Sequence, residues 1–287
     1  MRRGRAKESF LALGFLAPSL IVFGLFAFYP IIRIFYWGLY QQNRLGTEMR
    51  WIGLSQYKDV LTGDDFLQGL YTTLWYVAYT VPAGLVLGVL LALAAHRRLK
   101  GIKVFHTIFS STVATSVAVA SVIWLVLINP TQGYFEVTWL QNPTHGIGGA
   151  IFGVSLSSIW QNLGLTFIIV LAGLQAVPDE LMEAATIDGM SATRRFFTVT
   201  LPLLTPTLLF LVVVLTVFAF QGFAQIDILT SGGPAGSTET LVYKIFQHQA
   251  PSDLGVGSVM AVGLFLITFV VAFGQFTILE RRVHYGR

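Results

Sequence analysis

Cysteine is absent from the 287 residues. That excludes a disulfide scaffold, a thiolate metal site and a cysteine nucleophile. Charge is scarce as well: Asp, Glu, Lys and Arg make up 11% of the chain, against about 25% in a soluble domain. A water-soluble fold is therefore disfavoured, and the 54% hydrophobic content excludes disorder. No Gly-x-x-x-x-Gly-Lys-[Ser/Thr] occurs, so this chain cannot hold ATP phosphates in the P-loop manner. The apolar runs hold no Asp pair, no Ser/His pair and no His-Glu-x-x-His, the features an intramembrane enzyme needs. They also hold no carboxylate, and no clear internal repeat is present, which argues against an ion-coupled secondary transporter. No catalytic residue and no metal site is expected.

What the chain does have is long stretches without Asp, Glu, Lys or Arg. Six of them exceed 18 residues: Ser9 to Ile32, Phe66 to Ala95, Val104 to Phe135, Val137 to Pro178, Phe196 to Ile226 and Leu254 to Leu279. About 20 apolar residues at 1.5 Å each cross a hydrocarbon layer about 30 Å thick. A charge at mid-bilayer costs about 2.5 to 3.5 kcal/mol, a physical reason for such runs. Asn129-Pro130 should end the third helix near Ile128, and Pro178 should end the fourth. The expectation is an all-α polytopic membrane protein, one domain over 1–287. Its six spans fall near 10–32, 70–95, 105–128, 147–177, 203–226 and 257–279. The first run is too long for a signal-peptide core and reads as a retained span.

Loops of a six-span chain alternate between two sides. One side carries thirteen of the eighteen Lys and Arg residues, including Arg2, Arg3, Arg97, Arg98, Lys103, Arg194 and Arg281. The positive-inside trend places that side, with both termini, in the cytoplasm. The net charge of +4 is thus a topology signal, with membrane lipid as the natural anionic contact and no nucleic acid partner expected.

One cytoplasmic loop departs from this trend. Residues 179–202 place Asp179, Glu180, Glu183 and Asp188 against Arg194 and Arg195. Asp179 and Glu180 suit the positive end of a short helix. Gly189 suits its left-handed C-terminus, and Ser191 can cap a second helix. A helix, a turn and a helix lying along the membrane would offer small residues and an acidic edge to another protein.

Glu183-Ala184-Ala185, then Gly189, then Val199 and Leu201-Pro202, resembles the EAA loop of ABC importer permeases, with Val199 where the pattern has Ile. The likeness extends over nearly the whole chain. Gly53-Leu54-Ser55-Gln56-Tyr57 and Thr230-Ser231-Gly232-Gly233-Pro234 are similar to the carbohydrate-type group containing the maltose importer. Within it, Arg194-Arg195-Phe196-Phe197, Leu241-Val242-Tyr243-Lys244-Ile245 and the Glu280-Arg281-Arg282-Val283-His284-Tyr285 tail resemble first permease subunits of sn-glycerol-3-phosphate importers. The resemblance implies a bacterial inner-membrane subunit of the type I importer fold. It implies coupling through Glu183, Ala184, Ala185, Asp188, Gly189, Leu201 and Pro202. It also implies a second homologous permease, two copies of a cytoplasmic ATPase that bind ATP and Mg, and an extracytoplasmic binding protein. No cofactor is expected in this chain. The implied substrate is sn-glycerol-3-phosphate or a glycerophosphodiester, with a neutral di- or oligosaccharide as the alternative.

Polar residues within spans are the pathway candidates. Trp160, Gln161 and Asn162 stand in the fourth span; Phe220, Gln221, Gln225 and Asp227 stand in and beside the fifth. Amides beside aromatic faces suit a polyol, although interhelical packing accounts for such residues as well. Gly84 and Gly88 form a small-xxx-small pair that suits close helix packing, within this chain or against a partner.

Overall fold

The computed structural model describes residues 2–43, 45–96, 100–135 and 137–280. The side chains of Arg2, Arg3, Arg5 and Lys7, together with Arg97, Arg98 and the tail from Arg281, lie outside the described set. In chain order, α1 (Arg2–Phe23) continues through a π-helical turn into α2 (Tyr29–Trp37). A two-stranded hairpin follows, β1 (Tyr40–Gln42) and β2 (Met49–Trp51), antiparallel with Gln41 opposite Arg50. Next come α3 (Ser55–Leu61), α4 (Asp64–Ala95), α5 (Ile102–Ser110), α6 (Val117–Ile128) and α7 (Ala150–Gln175). The remainder is α8 (Asp179–Ile187), α9 (Ala192–Arg195), α10 (Leu201–Phe220), α11 (Ala224–Thr230), α12 (Leu241–Gln247) and α13 (Leu254–Glu280).

Among the described residues, five helical segments are long and apolar enough to cross a membrane: Gly14–Trp37, Asp64–Ala95, Ala150–Gln175, Ala192–Phe220 and Leu254–Glu280. The third expected span is a broken pair, Ile102–Ala114 and Val117–Ile128, bent by 108°, and counting it as one crossing gives six. No proline or glycine sits at the break. Thr115 turns extended, and the Ser116 hydroxyl caps α6 by accepting from the Val119 N–H at 3.3 Å. As expected, α6 ends at Ile128.

The contacts divide into two units, residues 1–63 with 245–263, and residues 64–244 with 264–287. In the first unit, the Gly14–Trp37 helix buries none of its apolar window inside the chain. It runs five residues past the charge-free stretch, and there Arg33 lies over the Tyr29 and Trp37 rings at 5.8 and 4.9 Å.

In the second unit, α4 packs most extensively on α7, and α10 packs against both. Asp64 and Asp65 in the first turn of α4 complement its dipole. A Cβ added at Gly88 would lie 2.2 Å from Thr166 Cγ2, so only glycine permits this approach of α4 to α7. The Gly84 position has room, with Leu215 Cδ1 at 4.0 Å. Two residues earlier on α7, the Gly164 N–H donates to the Thr112 hydroxyl at 2.9 Å, where a Cβ would meet that oxygen at 2.3 Å.

Two prolines, Pro30 and Pro202, follow wide turns. The π-helical turn Gly24–Phe28 closes with the Tyr29 N–H donating to the Gly24 carbonyl, directly before Pro30. The turn Phe196–Thr200 closes with Leu201 donating to Phe196, directly before Pro202. The added residue makes room where a proline ring would crowd the carbonyl four residues back. Pro206 leaves the Pro202 carbonyl without its helical donor, and the Thr205 hydroxyl supplies one at 2.7 Å.

Candidate translocation cavity and coupling hairpin

α10 stops at Phe220, and the chain breaks over Gln221–Phe223 before α11 begins. Around this break lies a cavity of about 420 Å³. Amides of Gln161, Asn162, Gln221 and Gln225 line it, with hydroxyls of Tyr76, Thr80 and Ser158 and the rings of Phe218 and Phe223. No Lys, Arg, His, Asp or Glu is among the described lining residues. The Tyr76 and Ser158 hydroxyls are hydrogen bonded to each other and join α4 to α7. Gln161 joins three elements: its Nε2 donates to the Thr115 carbonyl at 3.3 Å, and its Oε1 accepts from Gln225 Nε2 at 3.4 Å. The first of these bonds serves a carbonyl left open where the bent pair breaks.

Four of the seven pathway candidates thus face one cavity. Trp160 stands half-buried on α7 outside the lining, and Phe220 is 2% exposed in the core. Asp227 sits on α11, also outside the lining, where its charge and that of Glu239 add to burial in raising the Tyr243 hydroxyl's pKa. Tyr76, Thr80 and Ser158 are cavity residues that sequence reasoning missed. Hydroxyls are common in membrane helices, and each one reads as self-satisfied until its partner is known.

The hairpin at 179–202 has the capping chemistry that its sequence dictates. Pro178 is extended before α8. Gly189 stands at φ 72°, the Met190 N–H donates to the Ala185 carbonyl and the Gly189 N–H to the Thr186 carbonyl, both at 3.0 Å. The Ser191 hydroxyl accepts from the Arg194 N–H at 3.4 Å. Arg195 Nη1 donates to the Thr186 hydroxyl at 2.6 Å and ties α8 to the following segment. Glu183, Ala184, Asp188 and Gly189 are exposed, whereas Ala185 is buried, so the small exposed face is narrower than the sequence implies. Ile187 is 86% exposed beside a cleft of about 460 Å³ that Glu183, Thr186 and Arg195 help to line. α9 is not a free-standing second helix. It runs through the π-helical turn, and Leu201 and Pro202 then open α10, giving one helix of 29 residues, Ala192–Phe220.

Lys244 is no free cation. Its ammonium, 5% exposed, pairs with Asp65 and lies 3.1 Å from Glu239 Oε2. Burial alone would lower its pKa, but the hydrogen bonds it donates to the two carboxylates, with their charge, outweigh that and the pKa is raised.

The profile of the binding-protein-dependent transport system inner membrane component family matches residues 84–285. The chain belongs to this family. It is an ABC importer permease subunit, a multi-pass inner-membrane protein. Over 278 residues, 94% of each chain, it is 36% identical to the sn-glycerol-3-phosphate transport system permease protein UgpA of Agrobacterium fabrum. Its fold matches the crystal structure of a bacterial ABC transporter involved in the import of the acidic polysaccharide alginate. That match has a TM-score of 0.81 over 98% of this chain and 99% of the other, at 19% identity. The alginate transporter in complex with an alginate pentasaccharide-bound periplasmic protein gives the same TM-score over 97% and 96% of the two chains, again at 19% identity.

Proposed function

We propose that this permease imports sn-glycerol-3-phosphate or a glycerophosphodiester, working as a single permease domain with both termini in the cytoplasm. The observation that carries the substrate is the 36% identity over 94% of each chain to a protein named for sn-glycerol-3-phosphate transport. A second homologous permease completes the path, and an extracytoplasmic binding protein delivers the substrate. Two ABC ATPases seat on the hairpins through Glu183, Ala184, Asp188 and Gly189. ATP and Mg belong to those subunits and not to this chain. Buried Ala185, with Leu201 and Pro202, transmits their movement into α10. The pathway runs past Gln161, Asn162, Gln221 and Gln225, with Trp160, Phe220 and Asp227 supporting its walls. Amides and hydroxyls give a polyol its hydrogen-bond partners, and Phe218 and Phe223 offer faces to its C–H groups. The phosphate is neutralised outside the described lining, by the binding protein or the partner permease.

That lack of a cation favours one second reading, import of a neutral di- or oligosaccharide by the same machinery. Uptake of labelled glycerol-3-phosphate and of maltose by the whole complex in proteoliposomes separates the two. Saccharide uptake with glycerol-3-phosphate excluded selects the second reading. Gly189→Arg should lower uptake at least 10-fold with the isolated ATPase unaffected, whereas Gly189→Asn, which accepts the left-handed conformation, should retain uptake. Undiminished uptake and ATPase stimulation in Gly189→Arg would remove the hairpin from the coupling path.

A further inference from the structure

Two breaks in helical structure border the translocation cavity, and one side chain is bonded at both. The bent pair breaks at Thr115 and Ser116, where the backbone turns extended. The chain breaks again over Gln221–Phe223, between α10 and α11. Val117, directly after the first break, and Gln221 to Gln225, across the second, line the cavity, so a shift at either break reshapes it. Gln161 on α7 spans the gap. Its Nε2 donates to the Thr115 carbonyl at 3.3 Å, and its Oε1 accepts at 3.4 Å from Nε2 of Gln225, in the first turn of α11. Gln225 is 7% exposed, which leaves its amide little room to turn elsewhere. Farther along α7, the Gly164 N–H meets the Thr112 hydroxyl ahead of the first break. α7 thus holds the bend at two points, and of the two Gln161 also reaches α11.

The amides that face the cavity therefore divide into two kinds. Those of Asn162 and Gln221 make no hydrogen bond to a described residue and are open to a solute. The Gln161 amide is tied to protein through both its oxygen and its nitrogen. A carboxamide is planar, so its two ends turn as one about the last side-chain torsion. A shift of α11 that carries Gln225 away from α7 turns Oε1 after it and draws Nε2 off the Thr115 carbonyl. An unpaired backbone carbonyl in an apolar span is costly, so the bend at Thr115 must then change to recover a donor.

We propose that Gln161 is a positioning residue for transport, whose amide makes the break at Thr115 and the break before α11 change together. It touches no solute itself. The proposal rests on the reading that this cavity is the substrate path.

The test uses the assembled importer in proteoliposomes, driven by ATP and titrated with its loaded binding protein, with labelled glycerol-3-phosphate as the solute. Gln161→Met keeps the length of the side chain and loses both bonds. It should lower maximal uptake at least 10-fold, while the binding-protein concentration for half-maximal uptake stays within twofold. ATP hydrolysis should continue, so the ATP consumed per solute rises at least 5-fold; a merely structural loss would lower hydrolysis and uptake together. Gln161→Asn keeps the amide without its reach and should fail as Gln161→Met does. Gln225→Met breaks the link from its other end, and it serves where the Gln161 variants fail to assemble. Gln161→Met with Gln225→Met should transport no worse than the weaker single variant, whereas Gln161→Met with Asn162→Leu should show the product of the two single losses. The proposal is overturned if Gln161→Met keeps its uptake while Asn162→Leu loses it, or if Gln161→Asn transports as the parent does. It is also overturned if hydrolysis falls in step with uptake, or if the Gln161 and Gln225 losses multiply. Parental uptake in both Gln161→Met and Asn162→Leu would remove the cavity from the path, and the proposal with it. A parent that imports no glycerol-3-phosphate overturns the substrate reading alone, and labelled maltose then serves as the solute for the same variants.

Discussion

Gly84 and Gly88 make one sequence motif, yet the structure gives them opposite tolerances. An alanine methyl at Gly88 would start 2.2 Å from Thr166 Cγ2, where carbon atoms prefer about 3.5 to 4.0 Å. Thr166 is 0% exposed, and its hydroxyl donates to the Asn162 carbonyl at 3.0 Å, so its methyl cannot swing aside without losing that bond. The helices must therefore part by more than an ångström along the most extensive packing surface of the second unit. Overpacking of this kind costs about 1 to 3 kcal/mol. Alanine returns about 0.8 to 1.0 kcal/mol of helix propensity over glycine. The net loss in Gly88→Ala is about 0 to 2 kcal/mol, a fall of up to several degrees in melting temperature for a chain of this size. Gly84→Ala receives the propensity gain with ordinary contact at 4.0 Å, and should melt at or above the parent. Thermal melts of the complex in nanodiscs provide the assay. Thr166→Gly should suppress the Gly88→Ala defect better than Thr166→Ala, because Thr166 Cβ itself lies 2.6 Å from the new methyl. Equal destabilisation by the two glycine changes, or no suppression by Thr166→Gly, would refute the reasoning.

Two further outcomes follow from the polar contacts. Lys244→Met removes a 5%-exposed ammonium from two carboxylates that remain 57% and 23% exposed; the loss should be about 1 to 3 kcal/mol, less than for a fully buried pair. Because the Lys244 pKa is raised, its stabilisation is complete below its ordinary 10.5 and fades only above that. Parent and variant melts should therefore differ by a constant amount from pH 6 to 9. His145 behaves in the opposite sense. Burial lowers its pKa below the ordinary 6.5, while Thr72 holds its Nε2 at 3.3 Å and Tyr79 donates to its carbonyl at 2.7 Å. The folded loop prefers the neutral ring, so its stability is present above about pH 6.5 and falls as pH drops through that value and below. Hydrogen exchange over residues 138–149, corrected for intrinsic rates, should speed up between pH 7 and 5.5 in the parent and lose that trend in His145→Gln.

Much of this architecture can be read directly from where charge is missing, because burying charge in lipid is the largest local cost the chain faces. Ends of helices were legible wherever backbone chemistry dictates them: Asn129-Pro130, Pro178, Gly189 and Ser191. The bend at Thr115–Ser116 was not, since two hydroxyl residues in an apolar run carry no stop signal. The support from Gln161 and Gly164 that holds it comes from a distant part of the chain. The fifth expected span, 203–226, placed a continuous helix across Gln221–Phe223, where the chain instead breaks to form the cavity wall. Its amides were visible as polar residues in an apolar run. Tyr76 and Ser158 became identifiable only once α4 and α7 were seen to touch.

The unbroken segment from Ala192 to Phe220 has 29 residues and measures about 43 Å at 1.5 Å per residue. Its two ends are therefore locked in phase as well as in distance. One residue inserted beyond Leu203 would swing the far end by about 100°, turning the cavity wall away from its neighbours while every local contact of the hairpin stayed intact. Substitutions can alter this segment position by position, but its length is fixed by the need to keep both ends facing the right way.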